Sequence, residues 1–280
     1  MSTLSNLGSV DDRREGSRKH HLVALDVDGT LVDHEGSMTE EVRDSVRAVV
    51  DAGHDVIIAT GRSLGATLPV IGLLGITRGH AVCSNGGVTL RIDSTLPEGF
   101  EILERVTFDP KPALTALRER LPSAKYALED DRGRFLSTES FQDASFGSEA
   151  QSVDFEEMLE SRAVRVVVFS TDSSAEEFGH AVASIGLHGV TYSVGWTAWL
   201  DIAASGVTKA TALEALRQRL GTDQALTVAV GDGRNDIEML QWAGRGVAMG
   251  QAPEEVRSVA SEVTGSVLDD GAAKVLRSLV

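Results

Sequence analysis

Three short apolar runs without a polar break, Leu22-Val23-Ala24-Leu25, Val56-Ile57-Ile58-Ala59 and Ala81-Val82-Cys83, alternate with two longer stretches of helical character. A half-wet strand alternates apolar and polar residues, whereas an unbroken run is covered on both faces. Between the runs, residues 38–52 put Val42, Val46 and Val49 on one helical face, Gly53 stops that helix, and 64–74 reads as a second one. The order β-α-β-α-β with doubly buried strands predicts a parallel sheet between two layers of helices.

After Gly86-Gly87 the regime changes. A hairpin-like pair over 88–92 and 102–108 is followed by a helix at 112–121 and by strands at 125–128 and 134–137 around the turn-rich Asp130-Asp131-Arg132-Gly133. Next come a short helix near 155–159, a strand at 165–170, a helix at 175–185 and strands at 190–194 and 198–202, an α+β pattern. Alternation then returns, with helices at 209–220, 235–243, 253–260 and 272–279 and strands at 226–230 and 246–249. One α/β unit is thus interrupted and resumed. The division reads as a flexible tail over 1–20, a core over 21–107 and 204–280, and an inserted domain over 108–203.

At 280 residues there is room for two such domains, and 42% hydrophobic with 24% charged residues is an ordinary folded composition. A formal net charge of -16 repels a nucleic-acid backbone, so nucleic acid is not an expected partner and a phosphorylated ligand must be small and met locally. The single cysteine, Cys83, ends an apolar run and reads as a small buried thiol. No apolar run is long enough to cross a membrane or to serve as a signal peptide, which leaves a cytoplasmic location by elimination.

Ligands of open parallel sheets bind beyond the carboxyl ends of the strands. Four ends carry polar residues: Asp26 and Asp28 after the first run, Thr60-Gly61-Arg62 after the second, Ser84-Asn85-Gly86-Gly87 after the third, and Gly231-Asp232-Gly233-Arg234-Asn235-Asp236 after 226–230. The carboxylates of Asp26, Asp28, Asp232 and Asp236 in one crevice would repel one another by several kcal/mol unless some were protonated or a cation sat among them, and a divalent metal is the economical answer. Oxygen-only donors favour Mg2+. Other motifs fail on spacing. An EF-hand starting at Asp26 would need Gly and Glu where Leu31 and Ser37 stand, a dinucleotide fingerprint at Gly231 needs Gly where Asp236 stands, and there is no P-loop lysine motif.

These residues resemble the four motifs of the haloacid dehalogenase superfamily, in order: Asp26-Val27-Asp28-Gly29-Thr30, Thr60 within IIATGR, Lys209 within GVTKATAL, and GDGRND at 231–236. An insertion between the second and third motifs, with SNGG at 84–87 and WLDI at 199–202, is similar to the Cof-type subgroup with a C2 cap. The resemblance implies a Rossmann-like core with an α+β cap and a Mg2+-dependent phosphatase acting on small phosphorylated metabolites, sugar phosphates foremost. It implies Asp26 as nucleophile and Asp28 as general acid and base. It also implies a phosphate site of Thr60, Gly61, Arg62, Asn85 and Lys209, and metal binding by Asp26, the Asp28 carbonyl and Asp232, with Asn235 and Asp236 in contact with the metal or just behind it. A phosphomutase or a catalytically silent phosphate-binding module are the alternatives.

Plainer roles stand beside these. Thr60 could be a helix N-cap, Lys209 a surface charge, Arg62 a brace for its loop and Asn85 a turn residue, while His34 and His54 read as solvent-facing. In the insertion, Arg132, Arg134, Trp196 and Trp199 are candidate substrate contacts.

Overall fold

The computed structural model describes residues 20–139, 149–195 and 197–280. The chain begins with β1 (Leu22–Leu25), α1 (Glu40–Asp51), β2 (Asp55–Ala59), α2 (Leu64–Leu74), β3 (Arg78–Cys83), β4 (Val88–Asp93) and β5 (Phe100–Arg105). The middle holds α3 (Lys111–Arg120), β6 (Lys125–Asp130), β7 (Phe135–Ser137), β8 (Gln151–Ser152), α4 (Phe155–Leu159), β9 (Ala163–Phe169), α5 (Ala175–Ile185), β10 (Val190–Val194) and β11 (Trp199–Ala204). It ends with α6 (Lys209–Leu220), β12 (Thr227–Gly231), α7 (Ile237–Trp242), β13 (Arg245–Ala248), α8 (Glu254–Arg257), β14 (Glu262–Val263) and α9 (Gly271–Arg277).

Two sheets form. The larger runs β14-β13-β12-β1-β2-β3-β4-β5, parallel from β14 to β3 and antiparallel at the β4 and β5 edge. The hairpin-like pair, β4 and β5, extends this sheet at its β3 edge. Successive side chains of a strand point to opposite faces, and in β1 both faces are dry. Val23 and Leu25 pack with α1, α2 and α9, and Leu22 and Ala24 pack with α6, α7 and α8. That double burial is why the run carries no polar residue. Cys83 belongs to the same core, and burial pushes its thiol up to about 12.

The second sheet, β10-β11-β9-β6-β7-β8, is antiparallel except between β7 and β8. Its one face packs Tyr126, Leu128, Val166, Val168, Leu200 and Ile202 against α3, α4 and α5. The alternate residues Arg165, Trp199 and Asp201 therefore lie on the other face, which is turned to the core.

Several expectations are corrected. The helix read over 235–243 starts as a 3-10 turn, Arg234–Asp236, and becomes α-helical only at Ile237, because the Asp236 carboxylate ties back to the loop before it. The helix read over 253–260 contracts to Glu254–Arg257. His54 is buried at 7% exposure: its Nδ1 accepts from the His21 N–H, and Nε2 bonds the Leu279 carbonyl. The tail, except His20, and Trp196 lie outside the described residues. No helix among the described residues is long and apolar enough to cross a membrane.

Candidate active site

β1 lies between β12 and β2, so the residues following these strands meet at one edge of the sheet. Asp26 leaves β1 still tied to the ladder, its N–H donating to the Val230 carbonyl at 3.0 Å. Lys209 opens α6, whose N-cap is Thr208, and is fully buried. Its ammonium donates to Asp26 Oδ1 at 2.6 Å and to Asp236 Oδ1 at 2.7 Å. A surface role for this lysine is thereby overturned. Burial alone lowers the affinity of the Lys209 amine for its proton, but Asp236 and Asp26 outweigh burial and hold the ammonium above its usual range.

One lysine does not balance the acids around it. Burial, and then Asp236, push the Asp26 carboxyl well up against the pull of Lys209, and the same two causes push Asp232 up to about 6. Carboxylate oxygens of Asp26, Asp232 and Asp236 lie within 4.8 Å of one another. Asp236 is occupied on both oxygens: Oδ1 by Lys209, and Oδ2 by the N–H groups of Asp232 at 3.0 Å and Gly233 at 2.9 Å. It organises the loop, while Asp26 and Asp232 face the shared space. An all-oxygen set left short of positive charge fits a hard divalent cation.

Asp28 is reached by the Arg62 guanidinium, Nε to Oδ2 at 2.9 Å and Nη2 to Oδ1 at 2.6 Å. Arg62 thereby joins the loop after β2 to the loop after β1. Thr60 is fully buried, and its Oγ1 accepts from the Arg62 N–H at 3.1 Å. The α2 N-cap is Ser63, not Thr60. Ser84 and Asn85 both adopt left-handed backbone conformations, φ 50° and 54°, held by N–H bonds to the carbonyls of Arg62 and Thr60. This turn brings Asn85 Oδ1 to the Asn235 amide at 2.9 Å and sets Asn85 beside Gly61, where a Cβ would stand 3.2 Å from Oδ1.

Gln251, Arg165 and Glu129 stand outside the residues read from the sequence as site candidates. Gln251 Nε2 donates to the Gly29 carbonyl at 2.5 Å and to Asp232 Oδ2 at 3.2 Å, joining the loops after β1 and β12. It lies just past β13, a fifth strand end to which the same rule applies. Arg165, 3% exposed, donates through Nε to Asp201 Oδ1 at 2.5 Å, and Trp199 Nε1 donates to Asp201 Oδ2 at 2.8 Å. Ser84 Oγ donates to the buried Glu129 of β6 at 2.6 Å. Arg234 reaches the carbonyls of Val194 and Gly195 at 3.2 and 3.3 Å and pairs with Glu255.

The acids open into a crevice of about 490 Å³ roofed by Arg165, Trp199 and Asp201. A neighbouring cavity of about 520 Å³ shares the walls formed by Arg165, Asp201, Arg234 and Asn235. Arg132 and Arg134 line neither: they stand at the β6–β7 turn, where Arg134 pairs with Asp130 at 2.7 Å.

A family model of haloacid dehalogenase-like hydrolases matches residues 23–276. The 5-amino-6-(5-phospho-D-ribitylamino)uracil phosphatase YcsE of Bacillus subtilis is 28% identical over 92% of this chain and 95% of its own length. A phosphoglycolate phosphatase of Methanoculleus marisnigri is 28% identical over 91% of this chain and 94% of its own. The solved structure of BT1666 from Bacteroides thetaiotaomicron, a phosphatase of the haloalkanoate (HAD) superfamily, matches with a TM-score of 0.74 at 27% identity, covering 97% of this chain and 99% of that one. With the match running from β1 to α9, the chain belongs to the haloacid dehalogenase-like hydrolases.

Proposed function

We propose that this hydrolase is a Mg2+-dependent phosphatase that cleaves phosphate monoesters of small metabolites, with sugar phosphates the leading class, through an aspartyl-phosphate on Asp26. The observation that carries the reading is the buried Lys209 bridge between Asp26 and Asp236, set beside Asp232 in an acid-rich crevice. Such a site is short of positive charge in the way that a bound cation and a phosphate dianion together would correct.

Asp26 Oδ1 is held by Lys209, leaving Oδ2 to attack phosphorus. Asp28, two residues on and braced by Arg62, delivers the proton to the leaving oxygen and then takes one from the water that opens the aspartyl-phosphate. Lys209, Gly61, Thr60 and Asn85 surround the phosphoryl group. The Thr60 hydroxyl already accepts from Arg62 N and keeps its own proton to donate. Mg2+ would be held by Asp26, the Asp28 carbonyl and Asp232, with Asn235 and Asp236 behind them; when bound it supplies the charge that lets a carboxylate approach a phosphate. Residues 108–203 act as the cap over a core of 21–107 and 204–280, excluding water from the reaction. One relative is named for a ribityl phosphate and another for phosphoglycolate, so membership of the family leaves the leaving group open.

Inorganic phosphate release from a panel of esters, with and without chelator, tests this. Release should require Mg2+ and fall at least about a thousandfold in Asp26→Asn. Undiminished hydrolysis by that variant sinks the mechanism. Isomerised sugar phosphate without release marks a phosphomutase, and no turnover of any ester marks a silent binding module.

A further inference from the structure

Each cation lining the crevice and the neighbouring cavity, among the described residues, is already matched with a carboxylate. Arg62 holds Asp28, Lys209 lies between Asp26 and Asp236, Arg165 holds Asp201, and Arg234 holds Glu255. Beyond these pairs, Asp232 and the imidazoles of His34 and of His180, the latter beside Glu176, the ionisable wall residues are acids: Asp33 and Glu35 on the crevice side, Glu176 and Glu238 on the other. The phosphoryl group is provided for by Lys209 and the metal site. A second negative charge on the leaving group would face carboxylates in a confined space, where like charges oppose binding most strongly.

The roof offers something else. Arg165 of β9 and Asp201 of β11 present a hydrogen-bond donor and an acceptor side by side, fixed by their own 2.5 Å contact and by the Trp199 indole N–H at 2.8 Å. A carboxylate has about four lone-pair sites, and Arg165 and Trp199 occupy one on each oxygen. A hydroxyl can therefore donate to Asp201 while the next hydroxyl along a carbon chain accepts from the guanidinium. Trp199, which also lines the crevice, adds an apolar face for the carbon skeleton.

We propose that Arg165 and Asp201 form the leaving-group recognition element and select phosphate monoesters of uncharged polyhydroxylated compounds against those carrying a second anion. This rests on the phosphatase reading above. It deepens that reading by assigning the residues that discriminate and the charge they reject.

The test compares two esters of similar carbon skeleton, sorbitol 6-phosphate and 6-phosphogluconate, with p-nitrophenyl phosphate as an ester lacking hydroxyls, on the full chain loaded with Mg2+. The expected kcat/KM for sorbitol 6-phosphate exceeds that for 6-phosphogluconate by at least about tenfold. In Asp201→Asn, which removes the charge and keeps the shape, that ratio should shrink severalfold. Because both rates come from the same preparation, the ratio is insensitive to partial loss of folded protein. Equal or better turnover of 6-phosphogluconate, or an unchanged ratio in the variant, overturns the proposal while p-nitrophenyl phosphate turnover keeps the phosphatase reading intact. No phosphate release from any of the three overturns both.

Discussion

Lys209 shows how tightly charge is balanced at the level of single residues. Its ammonium is the only hydrogen-bond donor given to Asp26 by a side chain among the described residues, and it is fully buried with Asp236. Removing one partner of a buried ion pair leaves the other charge uncompensated, at a cost between about 3 and 5 kcal/mol. Lys209→Met should therefore lose activity and, in metal-free buffer, lower the unfolding free energy in urea by about that amount; a loss below about 1 kcal/mol would mean the acids are neutral without their lysine. Glu129 makes a separate case. Burial pushes its carboxyl up against the opposing pull of Ser84, Arg165 and Arg105. A carboxyl raised in the folded state holds its proton there longer than in the unfolded chain, so its ionisation costs stability as pH rises from the ordinary glutamate range through the raised folded value. Glu129→Gln keeps an acceptor for Ser84 and removes that cost, so its melting temperature relative to the parent should rise from acid to neutral pH. A difference that is flat across pH would show that Glu129 does not titrate in this window.

Among the elements, the loop after β1 depends on a residue with no side chain. Gly29 has φ 76°, and a Cβ there would stand 2.1 Å from Asp232 Oδ2. Gly29→Ala meets the left-handed backbone penalty of about 1–2 kcal/mol and also pushes Asp232 from its place, so thermal stability and Mg2+ affinity should fall together. Affinity retained by a destabilised variant would exclude Asp232 as a ligand. The same elements show what sequence can reveal. The bounds read for α2, α5 and α6 are the observed ones because local chemistry writes them: Ser63, Ser174 and Thr208 cap their starts, and Gly75, Gly186 and Gly221 end them. The acid cluster was legible for a related reason, since each member sits just past an apolar strand. Nothing local marks β8 or β14, two residues each, which exist only through pairing with β7 and β13. Arg165 was equally hidden. It stands in an apolar run, and its partner Asp201 is 36 residues away on another strand. His54 misled for the same cause, because its polar atoms are satisfied by His21 and Leu279 from the two ends of the fold.

At the scale of the whole molecule, a cation held between Asp26 and Asp232 would tie distant stretches of the chain to one equilibrium, since Asp26 follows β1 and Asp232 follows β12. Both carboxyls are raised by burial and by Asp236, Asp232 to about 6. Without metal, the folded protein therefore keeps protons that the unfolded chain has released, and stability is lost as pH rises from the ordinary aspartate range through about 6. Metal ligands must be deprotonated, so Mg2+ binding competes with the proton on Asp232 below about pH 6 and with the one held by the raised Asp26 carboxyl, and the competition weakens as pH rises. Binding to the folded state alone adds RT ln(1 + [L]/Kd), about 2.7 kcal/mol at a hundred times Kd. The rise in melting temperature on adding a fixed concentration of Mg2+ should thus be larger at pH 8 than at pH 5. Calorimetry at pH 6 in buffers of different ionisation enthalpy should show protons released on binding. In Asp232→Asn both effects should weaken, because one competing proton and one ligand charge go together. An equal rise at both pH values, with no proton release at pH 6, would place the cation away from these carboxylates and leave Lys209 to balance them alone.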